Sequence, residues 1–306
     1  MEIRAQDSNI ITRSYFDSLL LEMRHFDAVI PDTTFTLFGE KFKTPVMMAA
    51  LSHLDKCHPD GLEEMAKGAL AAGAVMWSGM GEDEELERVC KTGAKTIKII
   101  KPHVSNNEIF REIAFAEAQG CIAVGMDIDH AFNHKGEYDN IFGNCPLTGK
   151  STEELASFVR ATKLPFIIKG VLSEQDAKKC LEIGVGGIVV SHHHGIMDYA
   201  IPPLMALPKI VEVIRGKIPI FVDCGVESGM DVYKALALGA TAVSVGRAMM
   251  RPLSEEGAVG VAAKVEEITA NLAGTMARTS VATLADIDPT VIWMPTAYQQ
   301  YSGKKY

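Results

Sequence analysis

The sequence predicts an α/β protein that folds as a single (β/α)8 TIM barrel. Eight short apolar runs recur along the chain, and an amphipathic segment with helical periodicity follows each of them. The runs are apolar throughout instead of alternating, which is typical of parallel strands that are covered on both faces. The 306 residues suit one large barrel of roughly 250 residues with extensions.

The hydrophobicity pattern places the predicted elements in alternation. The strands are predicted over residues 46–50, 74–78, 96–100, 122–127, 166–169, 187–191, 218–223 and 242–246. The helices are predicted over residues 62–72, 83–92, 107–119, 152–162, 174–183, 203–215, 230–238 and 255–273. A glycine follows several helices, where a left-handed backbone commonly ends a helix: Gly73, Gly93, Gly120, Gly184 and Gly239.

We interpret residues 1–306 as one domain, with an N-terminal lead (1–44), the barrel (45–275) and a C-terminal extension (276–306). Two predicted connections, 128–151 and 192–202, exceed the usual length of about two to six residues. Both follow carboxyl ends of strands, where barrel enzymes carry their catalytic residues. We therefore expect a lid and a catalytic loop there, and a tail (294–306) that is disordered or used in assembly.

Composition excludes several classes of protein. Hydrophobic residues make up 47% and charged residues 23% of the chain, so an intrinsically disordered or fibrous protein is excluded. With 30 basic and 39 acidic residues the net charge is −9, which argues against nucleic acid and anionic membranes as partners. Six scattered cysteines without a C-x-x-C pair, and no secretory signal, favour a reducing, cytoplasmic location.

Polar residues follow four of the predicted strands. They are Lys169, the segment His192–His193–His194, Asp223, and Gly246–Arg247. Because the carboxyl ends of parallel barrel strands meet at one mouth, we expect these residues to converge on a ligand. Gly225 and Gly246 begin the last two strand-to-helix loops, where backbone N–H groups commonly hold a phosphate. The pattern therefore indicates a phosphate-bearing cofactor.

The three consecutive histidines favour a general base over a metal site. Neighbouring side chains on an extended segment point in alternate directions, so three imidazoles in a row do not converge on one zinc ion. A single inward-pointing imidazole can accept a proton near neutral pH. In the same extended geometry His193 shares a side with Ser191, while His192 and His194 turn away. A purely structural role for the histidines is the alternative.

Three segments resemble the FMN-dependent α-hydroxy acid dehydrogenase and oxidase family, which includes glycolate oxidase and lactate oxidase. They are TPVMMAALSHLDKCHPDG, KGVLSEQDAKKCLEIGVGGIVVSHHHG and VDCGVESGMDVYKALALGATAVSVGRAMM. The resemblance covers essentially residues 34–290 and keeps the motifs in order. It implies a TIM barrel that binds FMN, an oxidoreductase activity on a small molecule, and a homo-oligomer, a tetramer or larger.

The resemblance also implies roles for single residues. His193 would be the base that takes a proton from the substrate, and Lys169 would stabilise negative charge on the reduced flavin. The remaining flavin contacts are implied at Ala49, Ala50, Ser78, Gly79, Lys98, Asp223, Gly225, Gly246 and Arg247.

Departures from the family pattern fall in the substrate pocket. The family's carboxylate-binding arginine is replaced by Ile196, its strand-three tyrosine by Ile100, and one phosphate-binding arginine by Glu227. We expect FMN binding to be retained and ordinary hydroxy-acid binding to be altered. Five histidines are candidate substrate contacts in the altered pocket: His53, His130, His134, His192 and His194.

The favoured function is dehydrogenation of a 2-hydroxy acid, or of a divergent alcohol or amine, by an FMN enzyme with a histidine base. Oxygen, a quinone and a protein all stay open as the electron acceptor. One alternative is a flavin-dependent isomerase of the type 2 isopentenyl diphosphate isomerase kind, although the S-x-H segment argues against it. The other is a non-catalytic FMN-binding protein.

Overall fold

A computed structural model describes residues 6–141 and 143–294 of the protein. Eight parallel strands form one sheet, and we number them β1 to β8 in chain order. They are Val46–Met48, Met76–Ser78, Thr96–Ile100, Ala123–Asp127, Phe166–Val171, Gly187–Val190, Ile220–Val222 and Ala242–Val245. Neighbours in the sheet are neighbours in the chain, and β8 also pairs with β1. The Met48 amide donates to the Val75 carbonyl (3.0 Å), which closes the sheet into the predicted barrel.

Eight helices follow the barrel strands and cover them. They are Gly61–Ala72, Asp83–Lys91, Asn106–Ala118, Thr152–Arg160, Glu174–Glu182, Pro203–Ile214, Gly229–Ala237 and Met250–Arg278. Local sequence fixes several of their starts: Ser151 and Glu154, for example, form a reciprocal capping box before the fourth helix. The last helix differs from the prediction (255–273), because it is longer and is broken at Gly257, whose φ of 57° is not helical.

Alternation along each strand divides the core into two layers. Val75, Trp77 and Phe221 point into the barrel, where the Trp77 and Phe221 rings meet edge to face with centroids 5.3 Å apart. The intervening residues, such as Met76 and Val222, pack against the helices. Both layers are apolar, which is why each strand is a continuous run of hydrophobic residues in the sequence.

The N-terminal lead is structured and lies against the barrel. It contains a helix, Ser8–Ser18, and an antiparallel pair, Phe35–Leu37 with Glu40–Phe42. Leu20–Leu21 pairs with Ile292–Trp293, so the N-terminal lead contacts the last described residues of the chain. Residues 295–306 of the predicted tail lie outside the described residues. Within residues 6–141 and 143–294, no helix is both long and apolar enough to cross a bilayer.

Candidate functional site

A cavity of about 410 Å³ opens at the carboxyl ends of the barrel strands, a volume within the roughly 300–1,000 Å³ typical of small-molecule sites. Most of the residues that the sequence predicts for the site line this cavity. They are Ala49, Ala50, His53, Gly79, His130, Lys169, His193, His194, Asp223, Gly225, Gly246 and Arg247. Side chains from distant parts of the chain therefore meet at the mouth that the strand-end pattern indicates.

The structure does not bring Lys98 and Ser78 to the cavity. Both are register partners on the outer face of neighbouring strands, and the Lys98 ammonium donates to the Gly79 carbonyl (2.5 Å). The residues of the third strand that line the cavity are Ile99 and, just beyond its end, Lys101. Lys98 therefore does not face the cavity that it was predicted to line, because successive side chains of a strand point to opposite faces of the sheet.

His134 and His192 also lie away from the cavity. His134 is exposed in the long connection after β4. His192 is 2% exposed, its Nε2 lies 2.7 Å from the Thr12 hydroxyl, and its Nδ1 accepts from the Gly195 amide (2.9 Å). His192 therefore fastens the N-terminal helix to the barrel.

The histidine segment is not extended, so the predicted alternation of its side chains is wrong. β6 ends at Val190, and both His193 (φ 47°) and His194 (φ 58°) adopt the left-handed conformation. The Ser191 hydroxyl accepts from the His193 amide (3.0 Å) and stabilises this turn. The turn brings both His193 and His194 to the cavity. Ile196, two residues further on, is 41% exposed and does not line it.

Lys101, Asp127 and Lys169 form a row of charges across three adjacent strands. Asp127 and Lys169 are register partners, and their Oδ1 and Nζ atoms lie 2.8 Å apart. The Lys101 ammonium donates to the other oxygen, Oδ2, at 2.6 Å. Burial opposes ionisation of Asp127, but the two ammonium groups outweigh it and hold its pKa well below the usual range. Burial likewise opposes the charge on Lys169, yet neighbouring carboxylates, chiefly Asp127, raise its pKa.

His193 lies beside this row and contacts two carboxylates through one ring nitrogen. Its Nδ1 is 2.7 Å from Asp129 Oδ1 and 3.3 Å from Asp127 Oδ1. Burial and Lys169 lower the pKa of His193, but Asp127 and Asp129 outweigh them and raise it above its ordinary value. Among the described residues, Nε2 has no hydrogen-bond partner. The ring is thus oriented through Nδ1, with Nε2 left for a ligand.

Sequence reasoning missed Lys101, Asp127 and Asp129. Lys101 directly follows an apolar strand and Asp127 ends one, which is the signal that identified Lys169 and Asp223. Lys101 lies one residue beyond TIKII, and Asp127 closes AVGMD. The same signal applied to every strand would have found the first two, whereas Asp129 lies in the following loop.

Asp127, His130 and His193 offer ligand atoms within 4.8 Å of one another, but the cluster does not fit a metal ion. Lys101 contacts both Asp127 and His130 (Nζ to Nδ1, 3.0 Å), and Lys169 contacts Asp127 and lies 3.4 Å from His193 Nδ1. Two ammonium groups among three ligands repel a cation. We assign no metal to this site.

The cavity fits FMN. One wall consists of Ala49, Ala50 and Gly79, whose small side chains leave the backbone open to a planar ring. A Cβ added to Gly79 would lie 2.6 Å from Ser52 Oγ and 2.7 Å from the Leu51 carbonyl oxygen, so this position excludes a side chain. Lys169 and Arg247 also line the cavity, where they would supply positive charge to a flavin and its phosphate. Glu227 also lines the cavity. Among the described residues that line it, Arg247 is the one arginine.

A barrel with this cavity and these charges defines a flavin-dependent oxidoreductase. The chain belongs to the FMN-dependent dehydrogenase family, whose model matches residues 5–144 and 142–294. It is 30% identical to glycolate oxidase of Spinacia oleracea over 92% of this chain and 85% of that protein. It is 29% identical to L-lactate oxidase of Roseobacter sp. (strain GAI101) over 85% of this chain and 79% of that protein.

Solved structures of mandelate oxidase share the fold. One, in complex with (S)-2-phenylpropionate, superposes with a TM-score of 0.85 at 25% identity, over 94% of this chain and 89% of the other. Another, a mutant form with a monooxide FMN adduct, gives 0.86 at 26% identity, over 94% and 91%. The predictions of a TIM barrel, FMN and an oxidoreductase are confirmed by these findings and the family match.

Proposed function

We propose that the protein dehydrogenates a small 2-hydroxy acid, with His193 as the general base. The observation that carries this proposal is the contact between His193 Nδ1 and Asp129 Oδ1 at 2.7 Å, which leaves Nε2 to a substrate in the cavity. The carboxylate fixes the tautomer in which Nδ1 carries the hydrogen and Nε2 accepts a proton. Family membership supports the reaction class.

FMN, when bound, supplies the acceptor for two electrons. His193 Nε2 takes a proton from the substrate, and the imidazolium that forms is stabilised by Asp129 and Asp127. Lys169 keeps a positive charge at the cavity wall, because three carboxylates, Asp127, Asp129 and Asp223, raise its pKa against the effect of burial. Such a fixed charge stabilises negative charge that develops beside it.

An isomerase or a non-catalytic flavoprotein explains the site less well. A buried imidazole that is oriented by carboxylates and adjoins the cavity is the arrangement that general-base catalysis requires. A protein that only bound FMN would gain nothing from burying this histidine among charged groups.

Anaerobic mixing of the FMN-loaded protein with a panel of small molecules tests the proposal. The panel contains glycolate, lactate, mandelate, 2-hydroxy-2-phenylacetamide, simple alcohols and amines, and the readout is bleaching of the flavin absorbance. We expect a 2-hydroxy acid to bleach the flavin, and His193→Gln to slow this by about 10²–10⁴-fold, the usual contribution of a general base, while FMN stays bound.

His194→Gln is the matched control, because His194 also lines the cavity but its Nδ1 contacts Asn9 instead of Asp127 and Asp129. We expect this variant to change substrate affinity and to leave the maximal rate of bleaching within a few-fold. Full activity of His193→Gln together with an inactive His194→Gln would assign the base to His194. Bleaching by amines alone would show that the substrate is an amine and not a 2-hydroxy acid.

A further inference from the structure

Lys101 is a buried cation that lines the cavity. It follows the third barrel strand, is 8% exposed, and lies level with Asp127 and Lys169 on the inner face of the sheet. Burying an ammonium group is costly unless hydrogen bonds and opposite charge compensate for the lost hydration. The hydrogen-bond partners of Lys101 therefore determine whether one of its donors is left for a ligand.

Two of the three Lys101 N–H donors have partners among the described residues. One donates to Asp127 Oδ2 (2.6 Å) and one to His130 Nδ1 (3.0 Å). His130 can accept because its Nε2 lies 3.2 Å from Asp139 Oδ2, which favours the tautomer with the hydrogen on Nε2. Burial, together with Lys101 and His193, lowers the pKa of His130 to about 4, which keeps the ring neutral. An ammonium group has a third donor, and the cavity is beside it.

Lys101 and His193 contact opposite oxygens of Asp127, and both line the cavity. Lys101 contacts one oxygen of Asp127, and His193 Nδ1 lies 3.3 Å from the other. The rings of His130 and His193 meet edge to face, with centroids 4.8 Å apart. A cation and a base are thus neighbours across a single carboxylate. In a 2-hydroxy acid, the carboxylate and the carbon that is oxidised are likewise neighbours.

The other cations that line the cavity are less suited to a substrate carboxylate. Lys169 contacts Asp127 and His193 and lies 3.8 Å from Asp223. Arg247 is exposed, at the rim. Ile196, at the position of the family's arginine, carries no charge and lies outside the cavity.

We infer that Lys101 binds the acid group of the substrate and so selects 2-hydroxy acids over their neutral analogues. This inference rests on the proposed function. In the family that the sequence resembles, an arginine binds the substrate carboxylate, and Ile196 stands at that position here. The inference assigns carboxylate binding to Lys101 instead. Lys101 holds the anion as a point charge with one donor, not by the bidentate contact of an arginine.

Calorimetric titration of the FMN-loaded protein with oxalate, which is not a 2-hydroxy acid and has no C–H bond to oxidise, tests the inference without turnover. We expect Lys101→Met to weaken oxalate binding at least tenfold, as loss of a charge-assisted hydrogen bond implies. Lys101→Arg should retain most of the affinity. Lys98→Met is the matched control, because this buried lysine of the same strand faces away from the cavity. It should bind oxalate within twofold of the parent.

Flavin bleaching by mandelate and by its neutral amide, 2-hydroxy-2-phenylacetamide, adds a comparison of charged and neutral substrates. Lys101→Met should raise the half-saturating concentration of the acid at least tenfold and that of the amide less than twofold. Equal effects on acid and amide, no loss of oxalate binding, or no oxalate binding by the parent would each overturn the inference. Oxalate binding that depends on Lys101, combined with no bleaching by any 2-hydroxy acid, would refute the proposed function and leave the anion site intact.

Discussion

At His193, two carboxylates and one ammonium group set the protonation state of a single imidazole. Asp129 and Asp127 favour the imidazolium, while burial and Lys169 oppose it, and the carboxylates prevail. A base has to be neutral to accept a proton, so the raised pKa limits the pH range in which His193 can act. The same carboxylates that orient the ring therefore keep a larger fraction of it protonated, and so unable to accept a proton, at low pH.

We expect the rate of flavin bleaching to fall as the pH decreases through the raised pKa of His193, which lies above the ordinary 6.5. Asp129→Asn removes one of the charges that raise this pKa, so the fall should move to lower pH. The pH profile of the anaerobic reaction measures it. Asp139→Asn is the control, because Asp139 contacts His130 and not His193. An unchanged profile in Asp129→Asn would show that Asp129 does not hold the base.

Arg247 is the residue whose removal should loosen FMN. It lines the cavity at the loop after β8, and its Nη2 donates to Asn9 Oδ1 at 3.2 Å. A charge-assisted contact to phosphate contributes about 1.5–3 kcal/mol, and because Arg247 is exposed we expect the lower end, roughly a tenfold loss of FMN affinity for Arg247→Ala. Fluorescence titration with FMN measures this. Arg251→Ala, which removes an exposed arginine paired with Glu255, should not change the affinity. A tight-binding Arg247→Ala would place the phosphate elsewhere.

Among the elements, the last helix shows how a break is built into a continuous apolar pattern. Gly257 has φ 57° and ψ −136°, and the amide of the next residue, Ala258, donates to Glu64 Oε2 at 2.9 Å. Glu64 belongs to the first barrel helix, so the first and last helices are joined at the break. A carboxylate oxygen here replaces the carbonyl that a regular helix would provide.

Gly257→Ala should lower the free energy of unfolding by about 1–2 kcal/mol, because a side chain at this backbone conformation is strained and its Cβ would lie 2.9 Å from Glu64 Oε2. Urea denaturation measures the change. Gly274→Ala is the matched control in the same helix, where the added Cβ would approach only Arg278 Nη1, at 3.4 Å. We expect it to be neutral or to stabilise by up to about 1 kcal/mol. A neutral Gly257→Ala would mean that the break relaxes at no cost.

For the whole molecule, the N-terminal helix fixes the loops around the cavity. Asn9 Oδ1 contacts His194 Nδ1 (2.7 Å) and Arg247 Nη2 (3.2 Å), and Thr12 contacts His192. Arg13 contacts Asp231 in the seventh barrel helix (2.8 Å). A segment outside the barrel thus holds the loops after β6 and β8 in place, and loops that carry function depend on such a rigid support.

We propose that the chain assembles into a homo-oligomer. Phe26 and Ile30, in the N-terminal lead, are 92% and 96% exposed, and large exposed apolar side chains commonly mark contacts between subunits. Sedimentation velocity at micromolar concentration should give a species larger than a monomer, and Phe26→Ser combined with Ile30→Ser should reduce its size. A parent that sediments as a monomer would refute the proposal.

The sequence by itself determined the barrel and the mouth at which its chemistry lies. Strands that are covered on both faces are apolar at every position, and a charge or glycine that ends such a run marks the carboxyl end. Lys169, Asp223 and Gly246 were found in this way, and all three line the cavity. These signals are local, so they can be recognised without knowing which elements pack together.

Only the tertiary structure decided which polar groups meet and in what state of charge. Lys101 and not Lys98 lines the cavity, because the register between strands decides which face of a uniformly hydrophobic run points inward, and its composition does not. His193 reaches the cavity through a left-handed turn that the expectation of an extended segment excluded. His192 is buried by Thr12, 180 residues away in the chain. Such contacts depend on distances in space between residues remote in sequence, and these arise only when the barrel closes.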